Sequence, residues 1–423
     1  MYRKLKSELI AWKNETENPV PLFLCGNRNV GKTWLIQEFA DTEFKNCIYI
    51  NFERMPQLAE YFDCDSDVKS LFMVLEEYFC TRILPGETII VFDEIQACPN
   101  AYSVMEQFAV LFPEYRLCAV SSLLTVGPCK NAKVLKLHPL SFDEFLMAMD
   151  MPDMPELIFE HFKTMKPMSR RAHREMLEWY RRYLVTGGMP LAVERYRSCR
   201  TLLNMCETQS LILNSYCADM EHYTDINEAQ KLKGAFTSIP SQLCRENKKF
   251  HYRLIRKGAT AGLFGDSLKW LIESGMVLQC TLATDIYGMN FATDTSTFKL
   301  YLPDVGLLAG AMNTPYDQII KCTATDIHMD ALVENYVAQA LTANGYELHY
   351  MMRNTPASEV DFIYEKKERL YAVEVQTSEA QRAKGLRFIA NNYEYKRLYV
   401  LSDRNFDKDK DIRYIPVYAA FCL

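Results

Sequence analysis

The chain contains no Cys-x-x-Cys pair among its 14 Cys, and it has only 7 His. None of the His stands near a Cys at zinc-finger spacing, which argues against a zinc site. It has no apolar run of about 18 residues, so no membrane span is expected. The opening MYRKLKSELIAWKNETENP is charged and lacks an apolar centre, so it does not read as a signal peptide. Scattered Cys without a secretion signal fit a reducing cytoplasm, the expected location. There is no internal repeat and no low-complexity tract. Charge excess is also missing: 48 Lys+Arg against 54 Asp+Glu give a net charge of −6. Nothing global marks a nucleic-acid binder, although a local basic face remains compatible with one. A length of 423 residues allows two to four domains, at roughly 100–200 residues each.

The strongest positive signal is PLFLCGNRNVGKTWLIQEF, residues 21–39. Gly26-Asn27-Arg28-Asn29-Val30-Gly31-Lys32-Thr33 fits G-x-x-x-x-G-K-[ST] without a mismatch. PLFLC before it has the pattern of a buried parallel strand, and TWLIQEFA after it that of an amphipathic helix. The chemistry requires these types. Glycines let the backbone wrap phosphates at a helix N-terminus. Lys32 reaches the outer phosphates, and the Thr33 hydroxyl can ligate Mg²⁺. ATP and Mg²⁺ are therefore the expected cofactors. GETIIVFDEIQACPN (86–100) supplies a β-rich run ending in Asp93-Glu94. Asp93 is placed to hold Mg²⁺ through water, and Glu94 to act as base for the attacking water. A further strand ends in Ser121-Ser122, where Ser122 is a candidate γ-phosphate sensor. The strands alternate with helical stretches, which implies a parallel sheet covered by helices.

GNRNVGKT, VFDEIQ, the strand ending in Ser121-Ser122 and LKLHPLSFDEF (135–145), in this order, resemble the AAA-like, STAND-related prokaryotic P-loop ATPases that carry a C-terminal domain of unknown function. Arg28 matches the Arg of that family's phosphate loop. YLVTGGMPLAV (183–193) is similar to its Gly-Gly-x-Pro turn, and FKLYLPDVGLLAG (298–310) to its Asp-x-Gly-Leu turn. Ser121 departs from the family, which often has Gly before the sensor Ser. The implied fold is a multi-domain α/β protein: a P-loop NTPase core (1–149), a helical lid (150–232), a winged-helix domain (233–312) and a C-terminal restriction-endonuclease-like α/β domain (313–423).

The middle carries two basic groups. Arg170, Arg171, Arg174, Arg181 and Arg182 lie on one helix-like stretch. This is either a solvated face, an Arg approaching nucleotide in an assembly, or a phosphate contact. Arg245, Lys248, Lys249, Arg253, Arg256 and Lys257 cluster in the winged-helix segment, a candidate patch for a DNA or RNA backbone. No arginine finger stands out, which leaves room for a second subunit or a protein partner.

In the C-terminal part, EVDFIYEKKERLYAVEVQTS (359–378) reads as a hairpin turning at Lys367-Glu368. That turn sets Asp361 opposite Glu374, with Gln376 on the face of Glu374. Glu334 borders the apolar stripe of the helix 330–348. Glu334, Asp361 and Glu374 are thus expected to converge on a second metal. The order of elements is similar to the core of PD-(D/E)xK nucleases, with Gln376 where that class has Lys. Lys384 and Arg382 are candidate substitutes for the missing cation. Three functions follow: an ATP-hydrolysing regulatory protein, an ATP-controlled nuclease, or a nucleotide-gated scaffold with a degenerate nuclease domain.

Overall fold

Runs of apolar and β-branched residues bounded by turns build two sheets in the computed structural model. It describes residues 1–17, 19–62, 68–122, 131–287, 290–312, 314–321, 326–352, 359–377 and 383–423. The chain divides into two units, Met1–His138 with Glu273–Gly275, and Pro139–Ile272 with Met276–Leu423.

The first unit holds five strands: β1 (Leu22–Cys25), β2 (Asn46–Asn51), β3 (Thr88–Asp93), β4 (Arg116–Ser121) and β5 (Lys133–Lys136). Their order is β2-β3-β4-β1-β5, and every pairing is parallel. β1 and β3 are buried along their whole length. That explains their unbroken apolar sequences, because both faces of a parallel sheet are covered. The helices Lys32–Glu43, Val68–Phe79 and Asn100–Leu111 return the chain between strands. Phe23, Ile50, Phe92, Leu71, Leu75, Met105 and Phe108 pack into one core. Because all strands run the same way, Cys25, Asn51, Asp93 and Ser121 end at the same edge. Ligands of open α/β sheets bind outside that edge.

The second unit opens with helices Phe142–Ala148, Met154–Thr164, Arg170–Thr186, Pro190–Cys199, Met205–Tyr223 and Ile226–Leu243. Helix Ala261–Glu273, which shares its last residue with the first unit, follows. An eight-stranded sheet comes next: β6 (Leu278–Tyr287), β7 (Asn290–Tyr301), β8 (Leu348–Met352), β9 (Glu359–Glu365), β10 (Leu370–Val375), β11 (Arg397–Ser402), β12 (Asp407–Asp409) and β13 (Ile412–Pro416). Their order is β12-β13-β11-β10-β9-β8-β6-β7.

This sheet departs from the sequence reading. The β6–β7 hairpin, expected as the wing of a separate domain ending at 312, pairs through β6 in parallel with β8. A hairpin edge leaves a row of N–H and C=O groups that need partners, and β8 supplies them. The positions 232/233 and 312/313 both lie within the second unit, and the first unit's main segment runs from Met1 to His138.

The β9–β10 hairpin does adopt the expected turn. Lys367 and Glu368 both have positive φ, 51° and 57°, as a two-residue turn twisted like its strands requires. Leu370 pairs with Glu365 and Val373 with Phe362.

Three separated segments meet in the second unit. The Leu140 N–H donates to the Gly188 carbonyl at 2.7 Å. The Gly188 N–H donates to Asp304 Oδ2 at 2.5 Å, and Asp304 Oδ1 accepts from the Leu307 N–H at 3.1 Å. A Cβ on Gly188 would sit 2.0 Å from the Leu140 carbonyl oxygen. The PLSF, Gly-Gly-x-Pro and Asp-x-Gly-Leu segments are thus parts of one buried junction.

Candidate functional site

β1 runs into the loop Gly26–Gly31, and helix Lys32–Glu43 starts directly after it. The loop demands unusual backbone. Gly31 has φ 92°, where a side chain is strained. Gly26 passes so close to Leu137 that a Cβ would lie 2.2 Å from its carbonyl oxygen. Asn29 also has positive φ, 65°, which Asn tolerates. Buried Arg3, which the sequence reading missed, braces the loop by donating to the Val30 carbonyl at 3.2 Å.

Lys32 is only 4% exposed. Its Nζ donates to the carbonyls of Gly26 and Asn27, both at 2.9 Å. Burial lowers its pKa to about 8, partly offset by the negative Glu94 and Asp93. The lysine is therefore held within its own loop by two neutral acceptors. A phosphate offers a stronger, charged one.

Asp93 ends β3 fully buried. Its Oδ1 accepts the Glu94 N–H at 3.0 Å. Its Oδ2 accepts from the Thr33 hydroxyl at 2.9 Å, from Asn51 Nδ2 at 3.2 Å and from the Tyr49 hydroxyl. Burial raises the Asp93 pKa, and the Tyr49 and Thr33 hydrogen bonds oppose that. Asn51 faces Asp93 in the β2–β3 ladder, and Tyr49, two residues earlier, shares its face. Both escaped the sequence reading. The signal was present in NCIYINFER, as polar residues at the end of a strand parallel to β3.

Glu94 follows in a left-handed conformation, φ 50° and ψ 48°. Such strain costs of order 1–3 kcal/mol and gathers at functional sites. Ser122 Oγ donates to Glu94 Oε1 at 2.8 Å, and Gln96 Nε2 to Oε2 at 2.6 Å. Ser121 Oγ donates to Gln96 Oε1 at 3.0 Å. Lys32, Thr33, Asp93, Glu94 and Ser122 thus form one constellation. Among the residues joined to it, Gln96 stood in the quoted motif without a role.

The C-terminal candidates assemble differently. Glu334, 4% exposed, lies on helix Asp326–Ala343. Its Oε1 accepts from Lys299 Nζ at 2.8 Å and from the Tyr301 hydroxyl, and its Oε2 from Lys248 Nζ. Lys299 also reaches Glu359 at 2.5 Å. Burial works to raise the Glu334 pKa. The two ammonium groups outweigh it and hold the carboxyl well below its usual range. Asp361 Oδ2 accepts the Val375 N–H at 2.7 Å, and burial, then the Glu334 charge, push its pKa well up. Gln376 Nε2 donates to Glu374 Oε1 at 3.0 Å.

The expected meeting of Glu334, Asp361 and Glu374 around a cation therefore does not form. Among the described residues no group of three His, Cys, Asp or Glu could hold a metal. Glu334 is already neutralised by lysines from other elements. Lys248, expected on an exposed basic patch, is drawn inward, because a buried carboxylate without a cation is costly. Lys299 and Tyr301, two apart on β7 and so on one face, were quoted in FKLYLPD without this role. Arg382 lies outside the described residues.

Residues 18–146 match the family described as an AAA domain. Residues 177–318 and 329–420 match two families described as domains of unknown function. The first unit therefore carries an AAA-type P-loop α/β core, while the β6–β7 hairpin and β8–β13 come from two families that share one sheet. No curated protein matches the chain. Among solved structures it is similar to a Walker-type ATPase of Pyrococcus abyssi, at 13% identity and TM-score 0.43, covering 73% of this chain and 95% of that one. It is also similar to a signal transduction ATPase with numerous domains (STAND) from Pyrococcus horikoshii, at 13% identity and TM-score 0.29, covering 81% of this chain and 45% of that one. A third is AMPPCP-bound DnaA from Aquifex aeolicus, at 12% identity and TM-score 0.28, covering 64% and 88%. No helix is long and apolar enough to cross a membrane among the described residues.

Proposed function

We propose that the protein is a Mg²⁺-dependent ATP hydrolase whose nucleotide state governs how its C-terminal half engages a partner. The Thr33–Asp93 hydrogen bond beside the phosphate loop carries this reading, because it joins the two groups that would share a cation at the end of β3. The donor set suits Mg²⁺, which takes few protein oxygens and completes its shell with water and phosphate. Thr33 and Asp93 would hold it. The positive charge held there would offset the charge of the phosphates. The chain's own residues do the rest. The N–H groups of Asn27 to Thr33 cradle phosphate oxygens. Lys32 exchanges the Gly26 and Asn27 carbonyls for a phosphate. Glu94 orients the attacking water and takes its proton, and Ser122 holds the Glu94 carboxylate by its hydrogen bond. Purified full-length protein is expected to release phosphate from ATP only with Mg²⁺. Lys32→Ala and Glu94→Gln are each expected to cut the release on the order of 10²–10³. A wild-type chain that neither binds nor hydrolyses ATP sinks the proposal.

One observation favours a second reading, an ATP-controlled nuclease. Glu374 is buried, and burial raises its pKa against hydrogen bonds from Gln376 and the Leu386 backbone. Asp361 and Glu374 each lie one residue beyond the last ladder pair, Val373–Phe362, and Lys299 acts electrostatically on Asp361. A nicking assay on plasmid DNA and labelled RNA with Mg²⁺ or Mn²⁺ and ATP tests it. Absence of cleavage that Asp361→Ala removes leaves the C-terminal half as a binding scaffold.

A further inference from the structure

We infer that the Tyr49 hydroxyl is a positioning group for Asp93 and sets how tightly the ATPase half holds its divalent cation. This rests on the ATPase reading. Asp93 is fully buried, so its orientation depends wholly on protein donors. Oδ1 is tied to the Glu94 N–H at 3.0 Å, which fixes one end of the carboxylate. Oδ2 is the end that faces Thr33. Its remaining donors are the Tyr49 hydroxyl and Asn51 Nδ2, the latter at 3.2 Å. Asn51 is also committed elsewhere, since its Oδ1 accepts the Arg54 N–H at 3.0 Å in the turn after β2. The phenol is therefore the donor that best defines where Oδ2 points.

Tyr49 sits on β2, beside Val91 in the ladder, and is half-buried. A Phe there keeps the ring and loses only the hydroxyl. If Tyr49 were a packing residue, Tyr49→Phe would change nothing at the site. As a positioning group it changes cation binding and spares nucleotide binding, because its hydroxyl bonds the Asp93 carboxylate, whereas the nucleotide phosphates are held by loop backbone N–H groups. Partners that orient metal-holding groups typically contribute 10–100-fold to metal affinity when removed. The longer Asn51 bond predicts a smaller effect for Asn51→Ala.

The test uses full-length protein and mant-ADP fluorescence. Affinity is measured in EDTA, and the Mg²⁺ concentration for half-maximal tightening is then titrated. Direct Mn²⁺ binding in the presence of ADP, read by electron paramagnetic resonance, provides a second readout. Tyr49→Phe is expected to bind mant-ADP in EDTA like wild type, to raise the Mg²⁺ midpoint roughly tenfold, and to weaken Mn²⁺ by a similar factor. An unchanged midpoint with normal wild-type binding overturns this inference alone. Equal weakening with and without Mg²⁺ also overturns it, because the hydroxyl then supports the whole loop. A wild-type chain that binds no mant-ADP at all overturns the ATPase reading and this inference together.

Discussion

Each unit of this protein buries an acidic cluster, and the two are built on opposite principles. Around Asp93 and Glu94 the side chains that donate hydrogen bonds are neutral: Thr33, Tyr49, Asn51, Ser122 and Gln96. Around Glu334 they include two ammonium groups, from Lys248 and Lys299. Neutral donors orient a carboxylate without cancelling its charge, so the first cluster can still attract a cation. Ammonium groups cancel it, so Glu334 has no such capacity left. Buried acids of similar appearance in the sequence are therefore held by neutral donors in one place and neutralised by lysines in the other.

The largest test of that contrast is Glu334→Ala. It strands Lys248, leaves buried Lys299 with Glu359 alone, and is expected to lose about 3–5 kcal/mol in chemical denaturation. Replacing Glu334, Lys248 and Lys299 together with Leu and Met is expected to recover most of that. A loss under about 1 kcal/mol would mean that the cluster does not brace the fold, and the contrast would collapse. Next comes Glu94→Gln. It should leave the melting temperature near wild type and reduce ATP turnover on the order of 10²–10³, the usual scale for removing a charged group aimed at the reacting centre. Intact turnover in this variant moves the base elsewhere.

Asp304 sharpens the comparison through pH. It is fully buried, and burial raises its pKa to about 6, against lowering by the backbone N–H groups it accepts from. A raised pKa means that the folded state binds the proton more tightly, so this contribution is present in acid and is lost as pH rises through about 6. Glu334 has the opposite sign, since its lowered pKa favours the fold at neutral pH and fails in acid. The melting-temperature difference between wild type and Asp304→Asn is expected to shrink as pH increases from 4 to 7, by up to about 3 kcal/mol in equivalent stability. A difference independent of pH would show that Asp304 stays ionised in the fold. The smallest effect is at Ser122→Ala, which removes one hydrogen bond to Glu94 and is expected to slow turnover roughly tenfold. An unchanged rate removes Ser122 from the machinery.

The phosphate loop was legible because its information is local. Eight consecutive residues, a strand before and a helix after leave one backbone solution, and Gly26 and Gly31 are required by it at particular positions. The parallel sheet was legible in the same way, since fully apolar strands such as TIIVFD alternate with helices. The turn at Lys367-Glu368 also came out as the spacing of the two runs implied. What escaped were partners. Tyr49 and Asn51 meet Asp93 from 44 and 42 residues away, and their roles depend on which strands lie side by side.

The sequence by itself therefore determined the nucleotide loop, the acidic tip of β3 and the existence of most strands and helices, because each follows from spacing along a short stretch. Only the tertiary structure decided what the acids do. Lys299 and Lys248 stand 35 and 86 residues from Glu334, so no periodicity brings them to it. The same holds for the β6–β7 hairpin, whose two strands were readable but whose partner β8 was not. Strand patterning specifies which face is buried, and the neighbour across the open edge is chosen by the fold as a whole.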